Sequence, residues 1–135
     1  PRWMPHLEFL HNATLKPKGA GYWFWKAPLL LHHLNDAANT NWGDVVIYAD
    51  VDLRDHCKWL MPLIQNMLST NTTMALYQVE YRDRNYTKRD AYEYYCGASY
   101  YIPDESRQYA GGWLVVRKTP GTMQFLQEWQ EGLTK

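Results

Sequence analysis

The chain has 135 residues, with 14 basic and 14 acidic side chains and a formal net charge of zero, and this length suits one domain or part of one. General nucleic-acid binders and membrane-surface binders need a positive field to capture phosphates, so the charge balance argues against both classes. Aromatic residues make up 16% of the chain, which exceeds the needs of core packing and favours sugars or small molecules as partners.

Hydrophobic periodicity and helix-breaking residues predict alternating helices and strands in the first half of the chain. A short helix is predicted over Pro5–Leu15 and a second over Ala27–Ala38, with Pro28 in the first turn, where its missing N–H costs nothing. The turn Asn39–Gly43 follows. Val45–Ala49 is a short, mostly β-branched run without polar alternation, which predicts a strand covered on both faces.

The same alternation continues in the second half. The patterns predict a helix, a strand, a helix, a strand and a helix, over Lys58–Leu68, Met74–Val79, Thr87–Tyr95, Gly112–Arg117 and Thr119–Glu131. Strands that alternate with helices are typical of an α/β domain with a mainly parallel sheet and helices on both faces. Ligands of such domains gather at the carboxyl ends of the strands.

Two carboxylates follow the first predicted strand, in the sequence Asp50-Val51-Asp52. Hard oxygen ligands in this position can hold Mg²⁺ or Mn²⁺ against a diphosphate. Two other interpretations use the same residues. The pair could be solvated acids in a loop, or it could open a phosphohydrolase with an aspartyl-phosphate nucleophile, although such enzymes usually carry Thr or Val where this chain has Arg54.

Four sequence blocks in a fixed order are more specific than the acidic pair alone. The first two are Gly-Ala-Gly-Tyr-Trp-Phe-Trp-Lys-Ala-Pro at positions 19–28 and Gly-Asp-Val-Val-Ile-Tyr-Ala-Asp-Val-Asp at 43–52. The later two are Tyr-Thr-Lys-Arg-Asp at 86–90 and a block that starts with Tyr-Ala-Gly-Gly at 109–112 and extends to position 129. Together they resemble a family of GT-A-fold glycosyltransferases that includes bacterial polysaccharide enzymes and a chlorella virus glycosyltransferase domain.

The resemblance implies transfer of a sugar from a nucleotide-diphosphate donor, with UDP expected, to a glycan or another hydroxyl acceptor. It implies Mn²⁺ or Mg²⁺ as the cofactor and a GT-A-like fold. In that fold the first strand and its base-binding loop should lie before Pro1, so we expect residues 1–135 to be part of the catalytic domain. An inactive glycosyltransferase-like module or a carbohydrate-binding module is the alternative, although modules of the latter kind are usually all-β.

The resemblance also implies roles for individual residues. Asp52 is expected to contact the metal directly and Asp50 to touch the ribose or a metal-bound water, while Gly111 and Gly112 let the backbone approach the acceptor or sugar. Asp90 is the expected general base if the enzyme inverts the anomeric centre, with Asp104 and Glu105 as alternatives. The remaining expected donor or diphosphate contacts are Tyr22, Trp23, Trp25, Lys26 and Lys88.

Apolar runs, glycosylation sequons and cysteines indicate the cellular compartment in which a protein resides. No apolar run is long enough to span a bilayer, so we expect no membrane segment in this chain. Three N-glycosylation sequons, at Asn12, Asn71 and Asn85, favour a secretory or Golgi lumen, whereas a bacterial or viral protein would be cytoplasmic. Cys57 and Cys96 lack the spacing of a zinc site and could form one disulfide or remain two buried thiols.

Overall fold

A computed structural model describes residues 25–50, 58–87, 89–99 and 101–132. The helix predicted over Pro5–Leu15 lies outside these residues. In chain order the described elements are α1 (Lys26–Asn35), β1 (Val45–Ala49), α2 (Leu60–Ser69), β2 (Met74–Arg82), α3 (Asp83–Tyr86), α4 (Arg89–Cys96), β3 (Arg107–Arg117) and α5 (Pro120–Gly132). The chain is therefore mixed α/β.

The three strands form one sheet in the order β1-β3-β2. Both pairings are antiparallel, so the expectation of a mainly parallel sheet is wrong for the described strands. The alternation of strands and helices does not fix the strand direction, because the long connection from β2 to β3 allows β3 to pair antiparallel as readily as parallel. β1 and β2 run in the same direction on either side of β3, and their carboxyl ends lie beside Trp113 and Arg107 of β3, respectively.

One face of the sheet packs on the helices α1 and α5. The core joins Leu30, Leu31 and Leu34 of α1 to side chains of β3 and α5, namely Leu114, Val116, Met123 and Leu126. Val46 and Tyr48 of β1 pack against this cluster. The expectation that β1 is covered on both faces is wrong, because the side chain of Ile47 points to the opposite face and is 38% exposed.

The pairing of β2 with β3 is interrupted at the glycine pair. Leu76 pairs with Leu114, but the next residue, Tyr77, pairs with Ala110. Gly111, Gly112 and Trp113 therefore have no partner in β2, which leaves their backbone groups able to serve other contacts. Irregularities of this kind locally break the ladder and re-aim backbone groups, and they are frequent beside functional sites.

The structure also shows where the sequon asparagines and Cys96 lie, and whether a described helix could span a membrane. Within the described ranges, no helix has the length and apolar character needed to cross a membrane. Asn71 and Asn85 are both exposed, while Asn12 lies outside the described residues. Cys96 is free and exposed, so the expectation of a buried thiol is wrong for it.

Candidate functional site

A buried lysine joins three segments that are distant in sequence. Lys26, the first residue of α1, is only 4% exposed. Its ammonium donates to the carbonyl oxygen of Gly111 at 2.7 Å and to Oδ2 of Asp50 at 3.2 Å. Burial of an ammonium without partners would be costly, so these two acceptors are what makes the position tolerable for a charge. The contact fixes the start of α1 against the carboxyl end of β1 and the irregular part of β3.

Two aromatic rings complete the surroundings of the ammonium. Nζ of Lys26 lies 5.0 Å from the ring centroid of Tyr48 and 5.9 Å from that of Trp25. The two rings pack edge to face, with centroids 5.7 Å apart. Rings within about 6 Å of a cation stabilise it electrostatically, more so where water is excluded. Trp25 therefore packs beside Lys26 and Tyr48, and its expected contact with the donor stays a prediction.

Asp50 is held by both its side chain and its backbone. Its Oδ1 accepts a hydrogen bond from the hydroxyl of Tyr48, and its Oδ2 accepts the one from Lys26. Its backbone N–H donates to the carbonyl of Gly112 at 2.8 Å. The carboxylate is nevertheless 32% exposed, so one edge remains open to ligand. The sheet therefore presents a fixed, partly exposed carboxylate at the point where β1 ends.

The glycine pair acts in this site through its two carbonyl groups. Gly111 accepts from Lys26 and Gly112 accepts from the backbone of Asp50. Both glycines lie in the part of β3 that has left its register with β2. A Cβ added to Gly111 would lie 3.9 Å from Nζ of Lys26, an ordinary van der Waals distance, so the hydrogen bond itself does not demand glycine here.

Asp50 fits an outer-shell position better than a direct metal contact. Each oxygen already accepts one hydrogen bond, one of them from a cation, which lowers its capacity as a ligand while leaving a second lone pair free to hold a water. Among the described residues, no three His, Cys, Asp or Glu side chains group closely enough to hold a metal ion. Asp52, the expected direct ligand, lies outside the described residues.

The other expected residues are placed as follows. Tyr22, Trp23 and Lys88 lie outside the described residues. Asp90 is exposed in the first turn of α4, where Oδ1 accepts the backbone N–H of Ala91 at 2.9 Å. It lines a cavity of about 340 Å³ with Tyr95. Asp104, an alternative general base, forms an exposed ion pair with Arg84.

A groove next to the site was not predicted. It has a volume of about 360 Å³ and lies between β3 and α5; we call it the β3–α5 groove, lined among others by Gly111, Tyr95, Tyr109, Phe125, Glu128 and Trp129. Gly111 belongs both to this groove and to the contact with Lys26. Tyr95 belongs both to the groove and to the cavity that contains Asp90. The groove therefore shares one residue with each of the two regions in which catalytic residues were expected.

The aromatic excess of the sequence is found largely on the surface of the described part. Most of the aromatic side chains there are well exposed, namely Trp42, Trp59, Tyr77, Tyr81, Tyr86, Tyr94, Tyr95, Tyr101, Tyr109 and Phe125. Of the aromatic side chains that the structure describes, only Tyr48 and Trp129 pack against the main apolar cluster. For this part of the chain, core packing therefore does not account for the aromatic excess, and stacking against ligands is the better explanation.

Tyr48 is a site residue that the sequence analysis missed. A usable signal existed, because residues i and i+2 of a strand point to the same face and Tyr48 lies two residues before Asp50. Comparisons of the chain with protein-family models, with curated proteins and with solved structures found no match.

Proposed function

We propose that this chain is a metal-dependent glycosyltransferase domain of GT-A type, which moves a sugar from a UDP-sugar donor to a glycan or another hydroxyl acceptor. The observation that carries the proposal is the contact of Lys26 with both Asp50 and Gly111. These residues come from three of the four family-like blocks, and they are 24 and 85 positions apart from Lys26 in the sequence. Contact between distant blocks is expected if the blocks serve one site.

The geometry around Asp50 supports its part in the proposed division of roles. Lys26 and Tyr48 fix the carboxylate of Asp50, so this residue holds a metal-bound water or the ribose. Asp52 supplies the direct metal contact. When bound, Mn²⁺ or Mg²⁺ neutralises the charge that develops on the leaving diphosphate. In this proposal Lys26 orients Asp50 and does not itself contact the diphosphate.

The acceptor side of the reaction needs a group that takes a proton if the enzyme inverts. The acceptor hydroxyl oxygen forms the new bond to the anomeric carbon, the bond from that carbon to the diphosphate breaks, and the hydroxyl proton passes to a carboxylate. Asp90 remains the proposed base, because it lies in a cavity that shares Tyr95 with the β3–α5 groove. A retaining enzyme would need no such base.

A carbohydrate-binding module without turnover is the second candidate. The many exposed aromatic side chains favour it, since flat rings bind the apolar faces of sugars. The helices α1, α2 and α5 count against it, because binding modules of that kind are usually all-β. An inactive glycosyltransferase-like module would combine the proposed fold with this binding role.

We expect the full-length protein to release UDP from at least one UDP-sugar in the presence of Mn²⁺. The test is a panel of nucleotide sugars, with released nucleoside diphosphate measured with and without a general hydroxyl acceptor such as a methyl glycoside. Chelation of the metal should abolish release, since an uncompensated diphosphate is a poor leaving group.

A matched pair of variants sharpens this test. Asp52→Asn should reduce release to background, whereas Asp44→Asn should leave it unchanged. Asp44 directly precedes the first residue of β1, at the end of the strand opposite Asp50. Its carboxylate accepts a hydrogen bond from the backbone N–H of Asn41 at 2.8 Å. Absence of release from every donor with either metal would refute the transferase and leave the binding module.

A further inference from the structure

We propose that the β3–α5 groove binds the acceptor saccharide, with a pyranose ring stacked on its aromatic side chains and a sugar hydroxyl bound by Glu128. This inference rests on the proposed function, whose acceptor it places. Ligand sites of small molecules typically have volumes of a few hundred Å³ and combine apolar walls with a few polar groups. The groove, at about 360 Å³, has this character.

The aromatic side chains of the groove come from three elements. Tyr109 of β3 and Phe125 of α5 are 58% and 44% exposed, and Tyr95 of α4 is 54% exposed. The rings of Phe125 and Trp129 pack with centroids 6.2 Å apart. Exposed rings that converge on one groove from separate elements supply flat apolar faces, and the C–H faces of a pyranose match such surfaces.

The polar groups of the groove suit sugar hydroxyls. Glu128 carries a carboxylate, of which Oε1 accepts a hydrogen bond from Gln124 at 2.9 Å. The tyrosines add hydroxyl groups that can donate or accept. A purely apolar occupant would use none of these groups, whereas a saccharide uses both the rings and the polar atoms. The lining is mostly apolar and Glu128 is its one charged residue, so the Glu128 carboxylate is the feature that distinguishes a saccharide from a lipid chain or an apolar helix.

The position of the groove fits an acceptor better than a donor. The groove is lined by Gly111, whose carbonyl oxygen is bound by Lys26, and Lys26 also binds Asp50 at the proposed donor site. It is also lined by Tyr95, which lines the cavity of Asp90 as well. A saccharide in the groove would thus share a neighbouring residue with the proposed donor site and another with the proposed general base.

A glycine supports the far side of the groove. A Cβ added to Gly132, the last residue of α5, would overlap the hydroxyl oxygen of Tyr95. The absence of a side chain at this position is therefore what lets Tyr95 approach the end of α5. This close contact brings Tyr95 of α4 to the groove beside α5.

The test measures saccharide binding separately from donor binding. The probes are methyl glycosides of glucose, galactose, mannose and N-acetylglucosamine, titrated against the full-length protein and followed by saturation-transfer NMR. At least one of them should bind. Tyr109→Ala should weaken that binding about fivefold through loss of a stacking face, and Glu128→Gln about tenfold through loss of a charge-assisted hydrogen bond.

The controls decide between the outcomes. Tyr77→Ala removes an equally exposed tyrosine that does not line the groove, and it should leave saccharide binding unchanged. Binding that is absent for every probe, or unaffected by both groove variants, overturns the inference. Binding of octyl glucoside that octanol reproduces overturns it too, because the occupant would then be an alkyl chain. UDP titrations of the same variants report on the donor site alone, so failure of the proposed function is seen separately.

Discussion

Replacement of Lys26 by Met should lower the free energy of unfolding by about 2 to 4 kcal/mol. Removing one partner of a buried ion pair is strongly destabilising because the other charge is left without compensation. Here the loss falls below that of a fully buried pair, since the carboxylate of Asp50 is 32% exposed and water can partly solvate it. The carbonyl of Gly111 also loses its donor. Urea denaturation followed by circular dichroism measures the change.

The matched control is Lys58→Met. Lys58 is exposed and its ammonium lies 5.8 Å from the ring centroid of Trp59, so the substitution removes a charge near an aromatic ring without breaking a buried pair. Its effect should stay within about 0.5 kcal/mol. If the two substitutions lowered the free energy of unfolding by the same small amount, the contact of Lys26 with Asp50 would contribute nothing to stability.

A double-mutant cycle isolates the pair itself. Lys26→Met combined with Asp50→Asn should cost less than the sum of the two single changes, by about 1 kcal/mol or more, because the partners lie in direct contact. Strict additivity would indicate that Lys26 acts only through Gly111.

The second large effect concerns UDP binding, and it should separate the two aspartates. In the presence of Mn²⁺, Asp50→Asn should weaken UDP binding about 10- to 100-fold, the usual range for groups that act through a metal's outer shell. Asp52→Asn should reduce UDP affinity to the level found without metal, because a direct ligand is lost. Calorimetric titration of each variant measures both values.

Stability measurements on the same variants check the assignment. Asp50→Asn should also destabilise the fold, by about 1 to 3 kcal/mol, since a neutral amide now faces the buried ammonium of Lys26. Asp44→Asn should change neither the UDP affinity nor its dependence on Mn²⁺. If Asp50→Asn abolished the dependence on Mn²⁺ while Asp52→Asn kept it, the roles of the two residues would be reversed.

The local part of the fold was predictable from the sequence. β1 spans the predicted Val45–Ala49 without change, because a β-branched run between a glycine turn and two acids allows few alternatives. α1 was predicted within a few residues from its leucine pattern and its early proline. The same local pattern predicts that Asp50 directly follows a strand and that its carboxylate is partly exposed.

The contacts that build the site were not predictable in this way. The sequence predicts that Lys26 meets a diphosphate, but nothing within its own segment indicates that its ammonium lies 2.7 Å from a carbonyl oxygen 85 residues later. That contact depends on β3 lying antiparallel beside β1 and on the irregularity at Gly111 and Gly112. Strand direction and register arise from tertiary packing, to which hydrophobic periodicity is blind.

The β3–α5 groove was missed for the same reason. The sequence predicts a helix over Thr119–Glu131 but not which of its side chains line a groove, and Trp129 packs against the core. Phe125 is 44% exposed and lines the groove together with Tyr109 from β3. Only the packing of α5 beside β3 brings these residues onto one surface. Pairs of positions that change together among related sequences would have been needed to predict the strand directions, and with them the groove.

The central claim is that Asp50 and Asp52 belong to a metal-dependent diphosphate site. The most direct test is calorimetric titration of the full-length protein with UDP, once with Mn²⁺ and once with a chelator. We expect UDP to bind with Mn²⁺ and to bind at least about tenfold more weakly without it, because the metal supplies the charge that compensates the diphosphate. UDP binding of equal strength under both conditions, or no UDP binding under either, would contradict the claim.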